Sequence, residues 1–236
     1  MFNVAERPVF IPANEESRLV EAISVSFTWN KGMAPSQKMK NVDALHKAAS
    51  ELGHAPLLEV STKSKVELGW NLSAFNLTIL VNGRKIPLEC AYQGSKIFEY
   101  GGPYKDLYES ESRDAKRDER LKSSGELIGF RFEEFKFEES SKNVFYDWLY
   151  IRALSEHEDS QDYHDGLRRF VGFTDIEFNP KKSLNNQARA CAIFIALDHR
   201  EILNESLKSP EKLRQVLSKY SPVHSPLIAE RTKPML

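Results

Sequence analysis

The sequence predicts a mainly α, multihelical fold to which small β-hairpins are attached, and three observations support this prediction. Segments with apolar residues at helical spacing outnumber segments that alternate with the period of a strand. An Asn-Gly pair at 82–83 separates two short strand-like segments, as in a β-hairpin. No repeat, low-complexity tract or linker rich in Gly or Ser divides the 236 residues, so we expect one domain over residues 1–236.

Three elements are predicted before residue 61. Residues 24–29, SVSFTW, alternate polar and apolar side chains and predict a half-buried strand. Ser36 can cap a helix that Gly53 ends. The apolar residues of that helix repeat at helical spacing and are Met39, Val42, Leu45, Ala49 and Leu52. Residues 56–60, PLLEV, predict a further short strand.

The next two elements are predicted from turn and cap chemistry. Ser64 and Glu67 form a capping-box pattern before LGWNLSAF, which indicates the start of a helix. Asn82-Gly83 accepts the positive φ angles of a type I′ turn, and it lies between LTILV and RKIP. We therefore expect a β-hairpin over residues 77–86.

A helix is then predicted over residues 88–99, LECAYQGSKIFE, with Pro87 in its first turn. Its polar residues Glu89, Gln93 and Lys96 are four and three positions apart, so on a helix they lie along one face. By spacing alone, such a stripe is most simply a solvated face.

The middle of the chain predicts a mixture of elements. Residues 101–103, GGP, end the preceding helix, and residues 112–121 resume a solvated helix behind Ser112. Residues 128–137 alternate around a Glu pair and form either a second hairpin or a loop with aromatic anchors. Residues 142–154 form a richly apolar helix that we expect to be central to the core.

The last third contains one candidate metal segment. Residues 157–165, HEDSQDYHD, carry two histidines and several carboxylates but no HExxH spacing, so we favour an exposed acidic loop over a metal site. Residues 173–197 predict a short extended piece, a polar turn and a buried helix capped by Ser183. A last helix starts at Ser209, and the tail from Ser221 either wraps the surface or frays.

Composition limits the classes of function. The formal net charge is -1, so no global basic field attracts nucleic acid, and any contact with DNA must be local. Cys90 and Cys191 lie among apolar residues, which predicts buried thiols in a reducing compartment. The start of the chain lacks the pattern of a signal peptide, and the longest apolar run, residues 191–197, is too short to cross a bilayer. We expect a cytoplasmic protein without a membrane partner.

Common catalytic motifs are absent from the sequence, which contains no G-x-S-x-G, P-loop, GxGxxG or zinc-finger spacing. Polar residues in apolar settings remain, namely Glu89 and Lys96, and Asp175 and Glu177, which would point the same way from an extended segment. A lysine in a partly dry pocket can attack an anomeric carbon, while carboxyl groups supply acid and base. Salt-bridged surface pairs explain these residues equally well.

The order of several motifs resembles the NADAR family. Residues 72–98 resemble its opening, with a Leu-Ser-x-Phe element, a hairpin, a Glu and an aromatic-Gln-x-x-Lys sequence. SRDAKRDERL, VFYDWLYIRAL and residues 173–197 resemble its later elements in the same order. The resemblance implies a NADAR-like core over residues 68–198, an N-terminal extension over 1–67 and a helical tail over 199–236.

The chain also departs from the family pattern. Ala74 stands where the family often has Asn, Cys90 where it often has His, and no Trp-Gly pair occurs where FTDIEFNP runs on. These departures resemble the NADAR subgroup that is found as antitoxins beside DarT-type toxins. The N-terminal segments TWNKGMAPSQKMKN and PLLEVSTKS resemble that subgroup too.

The resemblance implies an N-glycosidase that removes ADP-ribose from guanine bases of DNA. By position, Lys96 would be the nucleophile that opens the ribose to an imine. Glu89 and Asp175 would supply acid and base functions, and Gln93 would orient the sugar. The C1–nitrogen bond demands this chemistry, because its leaving group is poor and its carbon must be captured.

The resemblance also implies a wider set of substrate-binding residues. Three aromatic side chains could pack against a base or else belong to the core, and two cations could hold the diphosphate or else be solvated. The full set is Tyr92, Trp70, Phe75, Lys116, Arg117, Glu177 and Asn179.

The implied partners are ADP-ribosylated DNA, ADP-ribose and a cognate DarT-type toxin, with no cofactor and no metal. Two other hypotheses stay open. The chain could neutralise the toxin by contact alone, through its first 60 residues, or it could be a glycosidase of small nucleotide-derived metabolites. Loss of protection in a Lys96→Ala variant separates the first from catalysis, and comparison of modified DNA with a modified free nucleotide separates the second.

Overall fold

The structure is a computed structural model, and it describes residues 3–13, 15, 17–138, 140, 142–179 and 185–220. The predicted tail from Ser221 and the predicted cap Ser183 lie outside these residues.

Within the described residues, a multihelical body is present as predicted, but three sheets accompany it. The helices are α1 (Pro35–Glu51), α2 (Glu67–Asn71), α3 (Leu88–Gly94), α4 (Ser112–Arg117), α5 (Arg120–Ser123), α6 (Lys142–Glu156), α7 (Ser160–Leu167), α8 (Gln187–His199), α9 (Leu203–Leu207) and α10 (Pro210–Lys219), with a 3₁₀ helix at Lys105–Glu109. The strands are β1 (Val4–Pro12), β2 (Val20–Thr28), β3 (Leu57–Glu59), β4 (Thr78–Val81), β5 (Arg84–Pro87), β6 (Lys96–Phe98), β7 (Leu127–Phe132), β8 (Phe135–Glu138) and β9 (Gly172–Thr174). The fold is therefore mixed α/β rather than mainly α.

The largest sheet joins three strands from the first 60 residues to β9, in the order β2-β1-β9-β3. Strand β1, which the sequence did not predict, pairs with β2 along its whole length and meets β9 at Phe10 and Phe173. Strand β3 runs parallel to β9. The N-terminal extension thus shares a sheet with the NADAR-like core, which supports one domain, although that boundary stays a prediction.

Both predicted hairpins are confirmed. In the β4–β5 turn, Asn82 has φ 50° and Gly83 has φ 78°, the left-handed pair that a type I′ turn requires. Residues 128–137 form the β7–β8 hairpin, and β6 pairs antiparallel with the other edge of β7. The alternative of an aromatic loop at 128–137 is wrong, because its alternate side chains Phe130 and Phe132 are buried in a sheet.

The helix predicted over residues 88–99 ends early, at Gly94. The chain then forms β6, so Lys96 does not lie on the helix face that carries Glu89 and Gln93. Pairing of β6 with β7 competes with helix continuation, and the main-chain oxygen of Ser95 accepts a hydrogen bond from the Arg131 N–H at 2.8 Å. Long-range pairing of this kind leaves no local signal in the sequence.

Other predicted boundaries shift by a few residues. The helix predicted over 112–121 is interrupted at Asp118, where the backbone is extended with ψ 127°. The predicted acidic loop at 157–165 is wrong, because α7 buries Tyr163 and Leu167 against the core. Helices α6 and α10 are confirmed, and Ser209 caps α10 by accepting from the Lys212 N–H.

The predicted caps Ser36, Ser64 and Ser112 are wrong. The residues that precede α1, α2 and α4 are Ala34, Val66 and Glu111. Helix α8 is capped by Asn186, whose side chain accepts a hydrogen bond from the Arg189 N–H at 3.0 Å. The Ser64 hydroxyl instead bonds to the backbone of Val66, within the turn that leads into α2.

The core lies around α6 and α8, whose inward faces are almost completely buried. Trp148 of α6 packs among the aromatic side chains of β7 and β8. Tyr150 of α6 packs against α8. The Tyr150 hydroxyl donates to the Leu72 carbonyl oxygen at 2.5 Å and so fixes the chain that follows α2. Cys90 and Cys191 are buried free thiols, as predicted.

Helix α2 lies directly on β3, and this contact generates a stability prediction. A Cβ atom at Gly69 would lie 2.0 Å from the Glu59 carbonyl oxygen. We expect Gly69→Ala to lower the free energy of unfolding by about 3 kcal/mol, since the backbones must separate. Gly53→Ala is the matched control: its φ is +89° with nothing within 4 Å, so it should cost about 1 kcal/mol. Equal losses in urea unfolding would contradict this packing.

Candidate active site

A cavity of about 710 Å³, here called the site cavity, lies between segments that are distant in the sequence. Residues 61–63 follow β3, residues 73–75 follow α2, and residues 175–179 follow β9. Helices α3 and α4 and the first residue of β6 complete most of its wall. Its volume lies within the range of small-molecule sites, roughly 300–1,000 Å³.

The side chain of Lys96 brings an amine with a lowered pKa into the site cavity. Burial is the main influence on it and lowers its pKa to about 8, although the negative charge of Glu89 acts in the opposite direction. The Nζ atom lies 4.9 Å from the centre of the Tyr92 ring, which stabilises the charged form weakly. A substantial fraction of the amine is therefore neutral, and nucleophilic, slightly above neutral pH.

Glu89 and Gln93 are brought together by one turn of α3. Glu89 is 6% exposed, and its Oε1 atom accepts a hydrogen bond from Gln93 Nε2 at 2.8 Å. The Lys116 Nζ atom lies 3.7 Å from the same oxygen. The Gln93 amide nitrogen is committed to Glu89, and its Oε1 atom is buried and has no hydrogen-bond partner among the residues that the structure describes. That oxygen can accept a hydrogen bond from a ligand.

Asp175 follows β9 and is buried at the floor of the site cavity. Burial and the neighbouring Glu59 carboxylate raise the pKa of Asp175 to about 8. Its Oδ1 atom accepts from the Glu177 N–H at 3.0 Å. Asp175 therefore holds a proton at neutral pH, as a general acid requires.

The residues after β9 form a turn instead of extended chain, but, like Asp175, Glu177 lines the site cavity. Its carboxylate pairs with Lys38 of α1 at 3.2 Å and lies at the rim of the site cavity. Asn179 also lines the cavity.

Two of the three predicted aromatic residues line the site cavity. Tyr92 packs against the core rings Phe130, Phe145 and Tyr146, and its hydroxyl accepts from Asn185 Nδ2 at 2.6 Å. Phe75 lies under Lys116, whose Nζ atom is 4.9 Å from the ring centre. Trp70 is wrong as a site residue: it lies on the outer face of α2, is 47% exposed and does not line the cavity.

Lys116 and Arg117 line the site cavity, and their contact with a diphosphate stays a prediction. Sequence reasoning missed two further cations there, Lys63 and Arg113. Ser61, Thr62, Ser73 and Tyr146 are also lining residues that were not singled out. A usable signal was present in PLLEVSTKS, where a polar run follows a short apolar strand, a common place for site residues.

No group of three or more His, Cys, Asp and Glu side chains that could hold a metal ion occurs in the part of the chain that the structure describes. Within those same residues, none of the helices combines the length and apolar character needed to cross a membrane.

The sequence was also compared with protein families. The sequence model of a family described as DarT1-associated NADAR antitoxin matches residues 5–225. The chain belongs to this family. The match to this NADAR family covers the N-terminal extension as well as residues 68–198, in agreement with the sheet that joins them. A comparison with curated proteins found no match.

The buried amine of this NADAR antitoxin should cost stability. Lys96→Met is expected to raise the free energy of unfolding at pH 7 by on the order of 1–3 kcal/mol, because burial disfavours the charged amine. The gain should shrink as the pH rises from about 8 towards 10.5, where the unfolded chain still binds a proton that the folded protein has lost.

Urea unfolding of both proteins at pH 7 and 9.5 tests this, since other groups titrate equally in each. Lys85→Met is the control, because Lys85 is half-exposed and paired with Glu158 on the surface. If the free energies of unfolding of Lys96→Met and wild type differ by the same amount at both pH values, the pKa of the Lys96 amine is not lowered.

Proposed function

We propose that the chain is an N-glycosidase that removes ADP-ribose from guanine bases of DNA. The observation that carries the proposal is the sheltered amine of Lys96, whose pKa is lowered to about 8 in a cavity that Glu89 and Asp175 also line. A neutral amine beside a protonated acid and a second carboxyl group is the set that cleavage and capture at an anomeric carbon require.

In the first step, the amine of Lys96 gives its electron pair to C1 of the ribose. The bond from C1 to the guanine nitrogen breaks, and that nitrogen keeps the electron pair and takes the proton of Asp175. The new ammonium passes one proton to Glu89, which returns it to the ring oxygen as the ring opens to a protonated imine.

Water completes the reaction. The oxygen of a water molecule bonds to C1 while the Asp175 carboxylate takes a proton from that water. This restores the carboxylic acid of Asp175. A proton moves from the new hydroxyl to the lysine nitrogen through Glu89, the carbon–nitrogen bond breaks, and the sugar ring closes. One water is consumed, and free ADP-ribose, unmodified guanine and the original amine remain.

The cavity offers suitable contacts to the rest of such a substrate. Lys116 and Arg117 lie on α4 at the rim, where they could neutralise a diphosphate. Phe75 and Phe178 present aromatic surface at the same opening, suited to stacking on a base. Gln93 Oε1 is available to accept from a sugar hydroxyl.

The biological role follows from the family, which is described as antitoxins associated with DarT1. We infer that a toxin of this type modifies the DNA and that the chain reverses the modification in the cytoplasm. Catalysis, rather than capture of the toxin, is the favoured mode because the partly buried amine lies in a cavity together with Glu89 and Asp175.

The direct test measures release of ADP-ribose from DNA that carries ADP-ribosylated guanine. Lys96→Met should reduce the rate by at least about 10³-fold, since it removes the amine that forms the imine. Lys85→Met, which removes an amine outside the cavity, should act at the wild-type rate. Wild-type protein that releases no ADP-ribose, or full activity in Lys96→Met, would refute the proposal.

The same variants separate the rival functions. If the chain only binds the toxin, Lys96→Met will protect cells that express the toxin as well as wild type does. If its substrates are small metabolites, a modified free nucleotide will be turned over faster than modified DNA. The proposal expects loss of protection and a preference for DNA.

Salt dependence tests how the DNA is held. With Lys116 and Arg117 engaged by the diphosphate, Lys63 and Arg113 remain at the cavity for DNA phosphates. A plot of log(1/KM) against the logarithm of the salt concentration should have a slope of about -2 or shallower, since the slope counts the phosphates that the protein neutralises. A slope steeper than about -4 would indicate a backbone track instead of a grip on one base.

A further inference from the structure

Glu59 is a buried carboxyl group that the mechanism above does not use. It is the last residue of β3 and is 2% exposed. Its Oε1 atom accepts from the Ser61 hydroxyl at 2.6 Å and from the Ile176 N–H at 2.9 Å, and its Oε2 atom accepts from the Thr174 hydroxyl at 2.7 Å. Burial raises the pKa of Glu59, and the three donors aimed at its two oxygens act in the opposite direction and favour the ionised carboxylate.

His46 of α1 supports one of these donors. Its Nε2 atom lies 2.8 Å from the Thr174 hydroxyl oxygen. Because the Thr174 proton is given to Glu59, the ring must donate through Nε2–H. Burial lowers the pKa of His46 to about 4, so the ring is neutral and this donation persists at neutral pH.

Glu59 and Asp175 are held by consecutive N–H groups of one turn. The Ile176 N–H bonds to Glu59 at 2.9 Å and the Glu177 N–H bonds to Asp175 at 3.0 Å. The two carboxyl groups are therefore neighbours, and they differ in setting. Glu59 accepts three hydrogen bonds and does not line the cavity, whereas Asp175 lines it and is reached by the backbone N–H groups of Glu177 and Phe178.

We propose that Glu59 is a positioning residue whose fixed negative charge keeps the proton on Asp175, and thereby makes Asp175 the general acid of the site. Ionisation of one of two neighbouring buried carboxyl groups disfavours ionisation of the other, and the proton favours the one with fewer donors. This inference rests on the proposed function and extends it, because it assigns the acid role to Asp175 and its cause to the N-terminal extension.

Other charged and titratable groups also face Asp175, from every element packed around it. Arg7 of β1 attracts its negative form, whereas Glu177 of the turn disfavours it, and the remaining groups are neutral at pH 7. These neutral groups are His46, Tyr146, Tyr150 and Cys191. Because Glu177 is exposed and paired with Lys38, the buried Glu59 has the dominant influence.

The test is the pH profile of kcat/KM for release of ADP-ribose by the full chain and by Glu59→Gln. Wild type should give a bell centred near pH 8, because Lys96 must lose a proton and Asp175 must keep one. If loss of the charge lowers the pKa of Asp175 by about two units, the optimum moves down by about one unit and the maximum falls about 30-fold.

Glu133→Gln is the matched control, since Glu133 is a partly buried carboxylate paired with Arg152 outside the cavity, and its optimum should not move. Thr174→Val is the second variant, to be used if Glu59→Gln does not fold. It removes one donor from Glu59 and shifts the shared proton from Asp175 towards Glu59, so the maximum of kcat/KM should fall while the optimum does not move down. In Glu59→Gln, a loss of rate without a downward shift of the optimum, or no loss, overturns the inference. In Thr174→Val, an undiminished maximum overturns it.

Titration without substrate separates this inference from the proposed function. In protein labelled with ¹³C at the Asp carboxyl carbon, one signal, absent in Asp175→Asn, should titrate near pH 8 and move to lower pH in Glu59→Gln. That result supports the inference even if wild type releases no ADP-ribose. An Asp175 signal that titrates near pH 4 in wild type overturns it.

Discussion

The removal of one amine from water is the constraint on which the rest of the site depends. A lysine in water is charged and a poor nucleophile, whereas the largely buried Lys96 keeps a pKa of about 8. The fold holds it there by pairing β6 with β7 and by ending α3 at Gly94, where a Cβ atom would lie 2.6 Å from the Tyr108 ring. The cost of burial is then offset elsewhere in the core.

Burial also changes the pKa of Asp175, the proposed acid of the site, but in the opposite direction. Burial lowers the pKa of an amine and raises that of a carboxyl group, so one sheltered cavity brings Lys96 and Asp175 to similar values. The N-terminal extension contributes to this through β3, which carries Glu59, and through α1, which carries His46.

Sequence patterns predicted the parts of the fold that local chemistry decides. Asn82-Gly83 fixed the hairpin turn, and the apolar run of α6 placed the core. They missed β1 and the early end of α3, because both depend on pairing with distant strands. Lys96 was chosen partly for a helix face on which it does not lie, yet the order of the motifs placed it correctly in the cavity. Trp70 failed because an apolar residue carries no sign of which side of a short helix faces the cavity.

The most direct measurement traps the bond that the proposed reaction forms. The protein is allowed to react with ADP-ribosylated guanine DNA in the presence of cyanoborohydride, which reduces an imine to a stable amine, and its mass is then determined. The account predicts one added ADP-ribosyl group that peptide mapping places on Lys96. An adduct on another residue, or turnover without any trapped adduct, would contradict it.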